Sequence, residues 1–147
     1  MTTGRNLALH VAALVLSVYL RLSWGGWETA VFALSVIGPV AMLLPSLVAL
    51  GLLRRHRLGA NVWVPLAAAS GSMVLASALV VGAGDLTEPK IPLFELLGLP
   101  GARGEWGAWT NPAGLAFAVA FLVFLGWALL EVAATGFTAR GERPLLR

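Results

Sequence analysis

Long apolar runs, separated by short polar clusters, fill most of this chain. Four runs stand out, at about residues 7–24, 29–53, 62–83 and 112–137, and only two charged residues, Arg21 and Glu131, fall inside them. Each run is near or above the ~18–20 apolar residues that cross a ~30 Å hydrocarbon layer as a helix. The spacing therefore predicts an all-α membrane protein: one domain over residues 1–147, built as a four-transmembrane-helix bundle of two antiparallel hairpins. The one sizeable connection is an outer loop at 84–111. Within it, Ile91–Leu99 sets Leu93, Phe94, Leu96 and Leu97 against Glu95 and is marked by Pro92 and Pro100. This segment reads as a short helix lying in the outer interface.

Local signals refine these elements. Pro39 and Pro45 fall inside the second run, and each removes one backbone N–H and presses on the carbonyl four residues earlier, Ser35 and Ala41. A bent or locally unwound second helix is expected. Asn61 is placed to cap the third helix, with Pro65 in its first turn. That helix carries Ala67, Gly71, Ser72 and Ala76, small residues four apart that let backbones approach closely, inside the bundle or at an oligomer seam. Asn111-Pro112 is a start signal for the fourth helix.

Composition agrees with this pattern. Apolar residues make up 59% of the chain and charged residues 12%, against about a quarter charged in soluble domains. A surface with so few charges faces lipid. There is no cysteine, which excludes disulfides, thiolate catalysis and cysteine-ligated metal or iron–sulfur centres. The Ala, Gly, Leu, Val and Arg bias suggests a bacterial protein. The first run resembles a signal peptide in having Arg5 before an apolar stretch, but Ser23 and Gly25 make a poor cleavage site without an Ala-x-Ala tail, and Arg21 and Trp24 suit an anchored helix end.

Charge sets the expected orientation. With both termini cytoplasmic, the inside segments hold Arg5, Arg54, Arg55, Arg57, Arg140, Arg143 and Arg147. The outside segments hold Arg21, Lys90 and Arg103, so the balance is seven against three. Trp24, Trp27, Trp106 and Trp109 then lie at the outer interface and Trp63 at the inner one, where an indole keeps its ring in the acyl boundary and its N–H toward water. The expected location is the inner (plasma) membrane of a bacterial cell. A Trp-Gly-x-Trp motif at Trp24–Trp27 recurs at Trp106–Trp109 and raises the idea of a duplicated hairpin.

Candidate chemistry is sparse. Glu131 lies within the fourth run, where an acidic residue is costly and needs a partner. His10 is at a similar expected depth, and Arg54 closes the second run on the same side. A Glu131–His10 or Glu131–Arg54 pair would form a proton or cation site, since histidine exchanges protons near neutral pH. A carboxylate paired structurally with an arginine is the plainer alternative. On the outer side, Asp85, Glu88, Glu95, Trp106 and Trp109 are candidates to line a pocket over the bundle mouth. His10 and His56 alone do not make a haem or zinc site, so no cofactor and no metal are expected. No nucleophile–base motif stands out. The Arg54–Arg57 patch is too short for nucleic acid and nearer to anionic headgroups. The expected partners are the lipid bilayer and other membrane helices. Three functions follow: a non-catalytic subunit or partner-binding component of a membrane assembly, a homo-oligomeric proton- or ion-coupled transporter or channel using Glu131 and His10, or a small enzyme acting on a lipid or hydrophobic substrate at the outer face.

Overall fold

The computed structural model describes residues 1–24, 26–35, 37–52, 58–82, 90–99 and 103–141, with the side chains at 27, 28, 33, 37, 103–105, 107 and 135–141 outside the description. Six helices follow one another: α1 (Thr3–Trp24), α2 (Trp27–Leu34), α3 (Ile37–Gly51), α4 (Ala60–Leu79), α5 (Pro92–Leu96) and α6 (Arg103–Gly141). Three apolar stretches are long enough to cross a membrane: Thr3–Trp24, Ala60–Leu79 and the Ala108–Ala134 part of α6. The fold is all-helical, with three helices of membrane-spanning length and apolarity.

The second apolar run is divided between α2 and α3. Pro39 has no N–H to give the Ser35 carbonyl, and the chain turns extended at Ser35 (ψ 132°). The Ser35 hydroxyl supports both sides of the break. It donates to the Phe32 carbonyl at 2.8 Å and accepts the Gly38 N–H at 3.2 Å. Pro39 thus falls in the first turn of α3, where its missing N–H costs nothing. Pro45 stays inside α3 and is buried. Gly38 lets the end of α2 fold back: a Cβ there would lie 2.7 Å from the Phe32 carbonyl oxygen and 2.8 Å from its ring.

The helix ends show how the chain is threaded. The Leu58 N–H donates to the Met1 carbonyl (3.2 Å), so the chain has returned to the level of its first residue before α4 begins. His10 meets Ser70, and Arg21 meets the carbonyl of Ala76. Residue numbers rise together along α1 and α4, so these two helices run parallel. Asn61 meets Glu131 at one end of α4, and Val80 meets Gly114 at the other, so α4 and α6 run antiparallel. Two apolar layers fill the space between: Ala13, Ala69, Met73, Phe121 and Leu125 with Met42 of α3, and nearer the Met1 end Leu52, Leu58, Val62, Leu66 and Ala128. The small-residue face of α4, including Ala69, Ser70, Ser72 and Ala78, lies inside the protein, while Gly71 is on the outside with open space around it.

The helix predicted to begin at Pro112 begins at Arg103, so Pro112 is its tenth residue rather than its first. The loop predicted over 84–111 is shortened accordingly. The added turns carry Trp106, whose ring meets Phe94 of α5 edge-on at 5.9 Å. Tertiary contact here outweighs the local bias of an Asn-Pro pair toward extended backbone. The predicted interfacial helix is present as α5. Ile91 and Pro92 are buried beneath it, and Leu96 and Leu97 point outward. It ends at Gly98 with φ +64°, a left-handed cap that suits glycine. The two Trp-Gly-x-Trp copies occupy different settings: Trp24 ends one helix and Trp27 starts the next, whereas Trp106 and Trp109 share α6.

Candidate functional site

The buried residues of α1 are Thr3, Asn6, His10, Ala13, Ser17 and Leu20. Their spacing alternates three and four, the 3.5-residue seam by which two helices pack at a shallow angle. Four of the six are polar. On the opposite face Leu9, Val11, Val15, Leu16, Val18 and Leu22 are exposed. The helix is polar inside and apolar outside, the reverse of a water-soluble amphipathic helix. This polarity is what a lipid solvent demands, and it supports the membrane assignment independently of helix length.

His10 is the centre of this seam and is fully buried. Its Nε2 lies 3.1 Å from Asn6 Oδ1, and its Nδ1 lies 2.5 Å from Ser70 Oγ. A carboxamide oxygen only accepts, so with Asn6 oriented this way Nε2 carries the ring proton and Nδ1 accepts from the Ser70 hydroxyl. Both nitrogens are satisfied by neutral groups. Above His10 the seam becomes apolar at Ala13 and Met73, then polar again at Ser17. Asn6 Nδ2 and Ser17 Oγ are buried without a hydrogen-bond partner. At the far end the Arg21 guanidinium donates to the Ala76 carbonyl at 3.2 Å. A cation there complements the negative end of α4.

Glu131 lies in a different place. Asn61 Nδ2 donates to its Oε2 at 3.0 Å, and Trp127 Nε1 donates to its Oε1 at 3.3 Å. Asn61 and Trp127 are exposed, and Glu131 is half-buried on the outer surface of the bundle. The predicted Glu131–His10 pair is therefore not formed. Ser70, beside His10, and Asn61, beside Glu131, are nine residues apart on α4, which is about 13 Å at 1.5 Å per residue. The similar depth expected from the sequence therefore does not hold along α4, and both the offset and the inward face of each helix depend on packing against it. Asn61, expected as a cap, lies instead inside α4, with Gly59 as the N-cap and no side-chain cap bond.

The other predicted residues divide between exposed surface and undescribed segments. Trp106 and Trp109 lie on α6 and are exposed, Trp109 at 78%. Glu95 is half-buried on α5. Arg54, Asp85 and Glu88 lie outside the described residues. Among the described residues no group of three or more His, Asp or Glu side chains is placed to hold a metal ion. Sequence reading missed Asn6 and Ser17 altogether. The detectable signal was the recurrence of small or polar residues at 3, 6, 10, 13 and 17 within an otherwise apolar helix. No protein-family model, curated protein or solved structure matches the chain.

Proposed function

We propose that the chain is a four-pass integral membrane protein whose role is to bind helices of other membrane proteins, as a non-catalytic component of a bacterial membrane assembly. The observation that carries this reading is the setting of α6. At 39 residues it is about 58 Å long at 1.5 Å per residue, roughly twice the hydrocarbon thickness. Its extensive packing among the described helices is against α4. Val80, just past the last residue of α4, meets Gly114, and Asn61, at its second residue, meets Glu131. About ten residues of α6 extend past α4 at each end. Along its middle, Leu115, Val119, Leu122 and Val123 are exposed. A helix packed along one side and open along the other is suited to receive another helix, because association in lipid depends on close side-chain packing.

The fourth pass and the orientation belong to the same proposal. α2 and α3 together supply the return crossing; the meeting of Leu58 with Met1 supports it, since the chain is then back on the side where α1 begins. The seven-to-three balance of basic residues supports a cytoplasmic Met1 end and, with it, a cytoplasmic end of α6. Absence of cysteine makes crosslinking clean. Leu122→Cys, placed on the open face of α6, is expected to give a thiol-specific adduct in native membranes well above the 15.4 kDa of the chain. If Leu122→Cys and Val119→Cys both yield only monomer, and the gently solubilised protein has the native mass of one chain, the docking role is wrong.

A further inference from the structure

We propose that Glu131, Asn61 and Trp127 form a binding site for the ammonium headgroup of a phospholipid in the leaflet at the Met1 end of the bundle. Depth is the first argument. Asn61 is the second residue of α4, and Glu131 lies three residues inside the end of the apolar stretch Ala108–Ala134. That stretch has 27 residues, about 40 Å of helix against ~30 Å of hydrocarbon, so its ends lie among the headgroups.

Chemistry is the second. Both described partners of Glu131, an amide N–H and an indole N–H, are neutral. A carboxylate at the edge of lipid calls for a cation, and the side chain is open to the outside rather than to the His10 seam. Trp127 supplies the rest of the site. Phe124 lies beside its ring, with the planes 27° apart and the centroids 6.5 Å apart. The side chain nonetheless remains 47% exposed. Its N–H edge meets the carboxylate, so the indole, together with Asn61, orients the group that a cation would meet. A primary ammonium suits this site because its N–H groups donate to a carboxylate whose oxygens Asn61 and Trp127 hold in place. A glycerol headgroup has neither the charge nor the fit. The site does not depend on what docks along the middle of α6.

The test is native mass spectrometry of the full chain, delipidated and then given equal amounts of ethanolamine-headgroup and glycerol-headgroup phospholipids with identical acyl chains. The wild-type protein is expected to retain the ethanolamine lipid about tenfold more, the effect of a charge-assisted hydrogen bond. Glu131→Gln should bring the two lipids to within about twofold, while Glu131→Asp should keep a clear preference because it keeps the charge. Trp127→Phe, which loses the N–H that orients the carboxylate, should fall between. Equal retention of both lipids by the wild-type chain overturns the proposal, as does a preference unchanged in Glu131→Gln. If Glu131→Gln does not fold, the wild-type comparison and Trp127→Phe decide: a Trp127→Phe preference equal to wild type removes the indole from the site and overturns the proposal as stated.

Discussion

Replacing Gly114 by alanine tests how closely α4 and α6 approach. A Cβ at Gly114 would lie 2.6 Å from Val80 Cγ2, 2.7 Å from the Val80 backbone nitrogen and 3.1 Å from the Leu79 carbonyl carbon. Two of these three atoms are backbone, so a rotamer change of Val80 relieves only the first contact. Reaching about 3.4 Å from that nitrogen needs a separation of about 0.7 Å, an overpacking strain of roughly 1–3 kcal/mol. Alanine also gains about 1 kcal/mol of helix propensity over glycine, so the net loss is about 0–2 kcal/mol. Gly126 lies on the same helix and has nothing within 4 Å of its would-be Cβ. Gly126→Ala receives the same propensity gain without the clash, and subtracting the two variants cancels propensity. The expected difference is about 1–3 kcal/mol against Gly114→Ala, read from detergent-to-SDS unfolding followed by tryptophan fluorescence. If the two variants unfold at the same SDS fraction, the close approach of α6 to the end of α4 is not real.

Two further outcomes are expected. Ser70→Ala leaves His10 Nδ1 buried without a donor and should cost about 1–3 kcal/mol. Its effect should be strongly non-additive with His10→Leu in the same unfolding assay, and strict additivity would mean that the bond contributes nothing. Pro39→Ala restores an N–H that can reach the Ser35 carbonyl, so α2 and α3 should tend toward one continuous helix. Spin labels at Ala30 and Leu43 would then move apart in pulsed EPR, and an unchanged distance would place the cause of the break elsewhere.

The parts of the fold readable from sequence were those governed by one residue at a time. Apolar length located α1, α4 and the apolar body of α6, and Pro39 pointed to the turn of the second run. What escaped depended on neighbours. The start of α6 moved from Pro112 to Arg103 because Trp106 has Phe94 to pack against, and an Asn-Pro signal carries no information about α5. His10 and Glu131 are separate because they meet different parts of α4, Ser70 and Asn61. Neither the offset of one helix along another nor its rotation about its own axis can be counted along a chain, since both are set by what the helix touches. The polar seam of α1 was the exception, since its 3, 6, 10, 13, 17 spacing is visible once one looks for polar rather than apolar periodicity.

The inward polarity of α1 has a consequence for biogenesis. His10 takes one partner from its own helix, but the other, Ser70, lies 60 residues later in the chain. At ~5–20 residues per second that interval is about 3–12 s of translation. During this time the first helix has left the ribosome with its imidazole and amide committed to a neighbour not yet synthesised. Release of that helix into open bilayer would strand those groups among acyl chains, so the insertion machinery has reason to hold it until the third crossing arrives.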